Sequence, residues 1–242
     1  MEESVGGDGA EASEELCLTP AVRAASWREM RVLMLQTYPG ANGRILAHFP
    51  YYRTSGCEKV VGVVTEGGGC FWPTKDTVTI GPDRYASGSH LPMRLLKSIE
   101  HGLALKADTI VVSEWDCLFF KPIPRDLPKG LVMTRTGGNS PGFEGQSFYH
   151  PPWIMDSSTA KEVLAVGYRL IAEGRIEQGF PDRFIGLVAE VGGIPVHSIL
   201  SRYTQNTIDR PEWVAEARAA RRGGCHAVHG VKTQAVLNAI TI

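Results

Sequence analysis

Three short, β-branched apolar runs separated by helix-forming segments constrain this chain more than any other feature. Residues 31–36, 59–65 and 109–112 are apolar through their interiors, as strands covered on both faces require. Between the first two, Ile45, Leu46 and Phe49 fall at helical intervals, and Pro50 is expected to end that helix. Gly67, Gly68 and Gly69 stop the second run. Before the third, Leu91, Leu95, Leu96, Ile99 and Leu103 mark one helix face, while Arg94, Lys97 and Glu100 fall elsewhere. Pro92 sits in the first turn, where its missing N–H does no harm. Strand, helix, strand, helix, strand predicts an α/β chain built on a parallel sheet.

The second half is less regular. Residues 118–120 and 131–133 read as strands joined by a connection containing Pro122, Pro124 and Pro128. Residues 139–152 read as a Gly- and Pro-rich loop, followed by a strand at 153–155. Asp156 and Ser157 can cap a helix carrying Ala160, Val163, Leu164, Leu170 and Ile171. Another helix is expected after Pro181, then a strand at 194–196, a helix at 212–221 and the segment 225–229. With no internal repeat and no internal linker, residues 27–242 read as one domain in two halves, 27–120 and 121–242.

At 242 residues, with 43% hydrophobic and 21% charged side chains, the chain is large enough for a substantial core. Its five cysteines (Cys17, Cys57, Cys70, Cys117, Cys225) are odd in number and form no CxxC pair, the usage of reduced thiols. Cys225 lies near His226 and His229 but has no partner pair at zinc-ligand spacing. No run approaches the roughly 20 apolar residues of a membrane span. The acidic start lacks a secretory pattern, so the expected location is cytoplasmic. Residues 1–20 hold six acids and no Lys or Arg, and 1–26 are expected to form a disordered acidic tail. The rest holds 25 basic and 20 acidic residues, a body of about +5 that suits an anionic ligand.

The third run leads straight into Glu114-Trp115-Asp116. That places carboxylates at the C-terminal edge of the sheet, where open α/β sheets bind ligands. An acidic-x-acidic triplet there offers oxygen ligands to Mg²⁺ or Mn²⁺. Near the other end, His229-Gly230-Val231-Lys232 supplies an imidazole that suits Mn²⁺ and an ammonium that suits phosphate. Asp182, next to Pro181 at an expected helix start, reads as an N-cap or a first-turn charge that favours the helix.

The triplet, with Leu118-Phe119 and Pro122 after it, resembles the DxD motif of the GT-A glycosyltransferases, with Glu114 where Asp is usual. The resemblance implies a GT-A fold, in which a Rossmann-like parallel sheet continues into a mixed sheet with helices on both faces. It assigns 27–120 to the nucleotide sugar and 121–242 to the acceptor. It implies a metal-dependent hexosyltransferase whose Mn²⁺ or Mg²⁺ is held by Asp116 most directly, and by Glu114 and His229, with His226 as a substitute. The donor expected is a UDP-sugar, its diphosphate bridged by the metal and reached by Lys232. Asp182 would be the base of an inverting transfer; if it is not, a retaining mechanism fits better. Gln36, Thr37, Tyr38 and Thr65 are expected to flank the nucleobase. Ser89, His90 and Arg94 are placed near the diphosphate or sugar, and Trp115 completes the substrate-binding set. Arg94 can equally be a solvated helix residue, and Trp72 can stack on a ligand or simply pack.

For the acceptor, compact cytosolic enzymes of this kind include viral ones that glycosylate hydroxymethylated bases in DNA. Arg183, Arg202, Arg210, Arg218, Arg221 and Arg222 could contact such a polyanion, whose target pyrimidine would be flipped from the stack. Surface-polysaccharide synthesis and a non-catalytic nucleotide-sugar-binding module are the alternatives. No GxGxxG, GxxxxGK[ST] or GxSxG motif follows any strand, against dinucleotide enzymes, P-loop NTPases and α/β-hydrolases. Residues 37–44 lack the dense glycines of a nucleotidyltransferase loop.

Overall fold

β1 (Arg31–Gln36) is buried at all six positions and organises the rest. Val32 and Met34 enter one core, Leu33 and Leu35 another, because successive side chains of a strand point to opposite faces. In this computed structural model the described residues are 29–38, 41–67, 69, 72–82, 90–137, 147–175, 180–198, 201–203 and 211–241. The tail expected at 1–26 lies outside them. After β1 come α1 (Asn42–Thr54), β2 (Lys59–Glu66), β3 (Thr77–Pro82), α2 (Leu91–Ala104) and β4 (Thr109–Glu114). β5 (Leu118–Phe119), β6 (Leu131–Gly137), β7 (Ser147–Asp156), α3 (Ser157–Ala172) and α4 (Pro181–Gly192) follow. The chain continues through β8 (Val196–His197), β9 (Ser201–Tyr203), α5 (Pro211–Arg222), β10 (Ala227–His229) and α6 (Gln234–Thr241).

Seven strands form one sheet in the order β3-β2-β1-β4-β7-β6-β8. β3, β2, β1 and β4 run parallel, β7 is antiparallel to β4 and β6, and β8 is parallel to β6. The protein is therefore α/β with a mixed, mostly parallel sheet, compatible with a Rossmann-like first half. One face is covered by α2, α3 and α4, through Leu95, Leu96, Ile99, Val163, Phe184 and Val188. The other carries α1, α5, α6 and a three-stranded sheet, β5-β10-β9, through Ile45, Tyr52, Phe119, Ala217, Val228 and Leu237. Full burial of each such apolar side chain is worth about 1.5–3 kcal/mol. Among the described residues no helix is long and apolar enough to cross a membrane.

Several expectations are corrected. α1 does not stop at Pro50 but runs to Thr54. The second part of the helix is held by packing: Tyr52 is fully buried and stacks on Trp72, and Phe49 meets Trp72 edge-on. That packing outweighs the one backbone hydrogen bond a proline removes. Trp72 is thus a core residue, its Nε1 donating to Thr74 Oγ1 at 3.0 Å. β7 begins at Ser147, inside the expected loop. Its Pro151-Pro152 pair falls where the ladder to β6 shifts register, between residues paired with Thr134 and Val132, so their missing N–H groups cost the sheet little. β3 gave no signal because it is an edge strand, with one neighbour and a half-exposed, Thr-rich pattern. Asp156 does cap α3, accepting from the N–H groups of Ser158 and Thr159.

Candidate metal centre

β4 lies between β1 and β7, so its C-terminal end opens at the middle of the sheet. The strand stops at Glu114, and the Cys117 N–H bonds back to the Glu114 carbonyl at 3.0 Å, turning the chain so that Asp116 follows closely. The Trp115 carbonyl accepts from Tyr52 Oη at 2.5 Å and lies 3.0 Å from His48 Nδ1, which pins the turn to α1. The Asp116 carbonyl accepts from the Gly230 and Val231 N–H groups at 3.1 and 2.9 Å. Those two bonds bring the end of β10 to the triplet. Gly230 has φ +95°, a left-handed conformation that lets the chain turn immediately after His229.

The side chains then converge. His229 Nε2 is 3.2 Å from Glu114 Oε2 and 3.2 Å from Asp116 Oδ1. Lys232 Nζ stands 3.6 Å from Asp116 Oδ2, and Tyr38 Oη is 3.5 Å from Glu114 Oε1. Potential ligand atoms of Glu114, Asp116 and His229 lie within 4.8 Å of one another. Asp116 is 1% exposed, and its Oδ1 faces the His229 imidazole 3.2 Å away. A buried carboxylate needs positive charge beside it; the imidazolium of His229 supplies it in the metal-free protein, and a metal ion held here would supply it instead. Two carboxylates and one imidazole suit a divalent cation, so the residues fit the metal-site expectation in chemistry and in spacing. His226 stays outside the cluster, with Nδ1 2.7 Å from the Pro122 carbonyl.

The buried carboxylates and their positive neighbours shift one another strongly. Burial raises the Glu114 carboxyl above its ordinary range, and the neighbouring Asp116 charge adds to that, against the His229 hydrogen bond. For Asp116 burial acts upward too, but the His229 charge and hydrogen bond and the Lys232 ammonium outweigh it and hold the group below its usual value. Burial would lower His229, yet Asp116 and Glu114 prevail and push it up to about 10. A folded value above the unfolded one means that the charged imidazole stabilises the metal-free protein below about pH 6.5 and through neutrality. That contribution is lost as pH rises through about 10. A cation must displace this proton to use the imidazole, so Mn²⁺ affinity should climb with pH across the neutral range. Titration calorimetry in buffers of different ionisation enthalpy is expected to report about one proton released per Mn²⁺ at pH 7. A count of zero would remove His229 from the ligand set.

Asp182, in the first turn of α4, lies on the same side of the molecule. Its Oδ2 is 2.8 Å from His150 Nδ1, and the His150 ring centroid is 5.6 Å from that of His229. Its charge also contributes to raising Glu114 and Tyr38. His150 had no sequence signal, since it precedes the proline pair in what reads as a loop.

The other expected substrate residues are placed as follows. Tyr38 reaches the cluster; burial first, and Glu114 next, raise its hydroxyl well above the ordinary value, so it acts as a donor. Thr37 is buried, its N–H and Oγ1 both directed to the Val63 carbonyl, and Thr65 is buried at the end of β2. Arg94 is neither solvated nor at the surface. It is fully buried and donates to the Thr37 and Val63 carbonyls, with its guanidinium 4.2 Å over the Tyr38 ring. It thus ties the end of β1 and the interior of β2 to α2, directly behind Tyr38. His90 is exposed at the start of α2, and Ser89 lies outside the described residues. Trp115 stacks on His48 at 5.8 Å, with the Arg44 guanidinium 5.6 Å from its ring. No protein-family model matches this chain, and no curated protein matches it in sequence.

Proposed function

We propose that the protein is a metal-dependent glycosyltransferase of the GT-A type that moves a sugar from a UDP-sugar to an acceptor hydroxyl. The observation that carries this reading is the convergence of Glu114 and Asp116, at the end of the central strand, with His229, and with Lys232 beside them. A divalent cation held there would offset charge on the departing diphosphate. Lys232 supplies a further positive charge for the same phosphates, and Tyr38 and Trp115 border the donor. Asp182 and His229 both pack against His150, which puts a carboxylate that could serve as base near the metal-ligand cluster. In an inverting transfer, the acceptor oxygen forms its bond to the anomeric carbon as the bond to the β-phosphate oxygen breaks. The electron pair leaves with the diphosphate, and the acceptor proton passes to Asp182.

The acceptor we would test first is a hydroxymethylated pyrimidine in DNA. The arginines suggested for a polyanion are only partly available for one. Arg218 donates to the Ala239 carbonyl at 2.9 Å and Arg221 to the Ile240 carbonyl at 2.5 Å, so both cap α6. Arg222 is exposed, and Arg210 lies outside the described residues. The test is nucleoside diphosphate release from a panel of nucleotide sugars, with Mn²⁺, Mg²⁺ or chelator. Each is run with and without duplex DNA containing 5-hydroxymethylcytosine. Metal-dependent release supports the reading, and stimulation by that DNA names the acceptor class. Release without stimulation points to a glycan acceptor. No metal-dependent release from any donor would favour a non-catalytic binding module instead.

A further inference from the structure

We propose that His150 is a positioning residue that fixes the Asp182 carboxylate for transfer, an assignment that rests on the glycosyltransferase reading. His150 is 5% exposed, and both of its ring nitrogens are engaged, Nδ1 2.8 Å from Asp182 Oδ2 and Nε2 2.9 Å from Thr136 Oγ1. Nδ1 stands against the Asp182 carboxylate at contact distance, and Nε2 pairs with the Thr136 hydroxyl. The ring has little freedom to leave this arrangement. Phe148 lies parallel to it at 6.2 Å, and His229 packs at 5.6 Å. Thr136 comes from β6 and His150 from β7, two paired strands, so the imidazole is aimed by the sheet itself.

Asp182, by contrast, stands in the first turn of α4, with its side chain 19% exposed. A helix-start carboxylate without a partner would sample several rotamers. The contact with His150 selects one and leaves the second oxygen to the acceptor. Because the same ring packs against His229, it also fixes the distance between Asp182 and the metal centre. His150 is too buried and too fully engaged to touch the acceptor, so it acts through Asp182.

The experiment compares His150→Asn, His150→Gln and Thr136→Val in Mn²⁺-dependent UDP release from UDP-sugars, with Mn²⁺ affinity and thermal unfolding measured alongside. The asparagine amide nitrogen falls near the position of Nδ1, and that of glutamine near Nε2. His150→Gln should lower kcat roughly 10- to 100-fold with donor KM and Mn²⁺ affinity unchanged. His150→Asn should recover most of that loss, and Thr136→Val should give a smaller one. Unchanged kcat in His150→Gln overturns the assignment. So does an equal loss in both His150 variants that follows their melting temperatures, which would mean a packing role only. A fall in Mn²⁺ affinity matching the fall in kcat would make His150 part of the metal centre, and also overturns it. If the wild-type protein releases no UDP, the glycosyltransferase reading fails and takes this one with it. Active wild type with fully active variants removes this one alone.

Discussion

Asp116→Asn is expected to abolish measurable Mn²⁺ binding and to lower nucleoside diphosphate release by at least about 10²–10³-fold. The substitution keeps the shape of the side chain and leaves the backbone carbonyl that anchors Gly230 and Val231. It removes the charge that the buried site is built around. Asp116 is the carboxylate that His229 and Lys232 hold ionised, whereas burial keeps Glu114 above its ordinary range. The loss should therefore exceed that of Glu114→Gln. A second readout separates this from general damage. The imidazole of His229, relieved of its largest upward influence, should titrate below about 10. Histidine NMR follows this directly. Asp116→Asn protein that still binds Mn²⁺ with wild-type affinity would take Asp116 out of the metal centre.

Gly186→Ala should lower both stability and turnover. Gly186 lies one turn after Asp182 on α4, and a Cβ there would sit 2.4 Å from two ring carbons of Tyr149 on β7. No real side chain tolerates that distance, so α4 must move off the sheet or the Tyr149 ring must give way. Overpacking of this kind costs about 1–3 kcal/mol, and in a domain of this size about 2–4 °C of melting temperature accompanies each kcal/mol. His150 neighbours Tyr149 in the same strand, so a displaced α4 also draws Asp182 away from it. A displacement of about 1 Å can cost roughly 10²-fold in rate. Donor cleavage should fall while Mn²⁺ binding, carried by β4 and β10, stays intact. Melting and turnover identical to wild type would mean that the close packing of α4 on β7 is not needed.

The strands β1, β2 and β4 were legible because each is apolar over successive positions, which only a doubly covered strand can bury. The carboxylates at the end of β4 follow from that placement, and His229 was legible from its spacing to Gly230 and Lys232. Other features depend on partners distant in sequence. His150 becomes informative only when α4 brings Asp182 to it. Arg94 falls off the apolar stripe of α2, but the end of the sheet covers that side of the helix too, so a charged residue is buried on backbone carbonyls. Arg218 and Arg221 resemble a basic surface in sequence, whereas α6 takes both as caps. α1 passes Pro50 because Tyr52 and Phe49 pack around Trp72, a reward that local propensity does not register.

The candidate metal centre joins residues 115 positions apart in the chain. The parallel part of the sheet, β1 to β4, is complete once residue 114 has been synthesised, and both carboxylates follow within two residues. His229 and the N–H groups of Gly230 and Val231 are made much later. A chain still on the ribosome can thus assemble its first half before the three candidate ligands meet, so an ion bound there would act on a fold already formed.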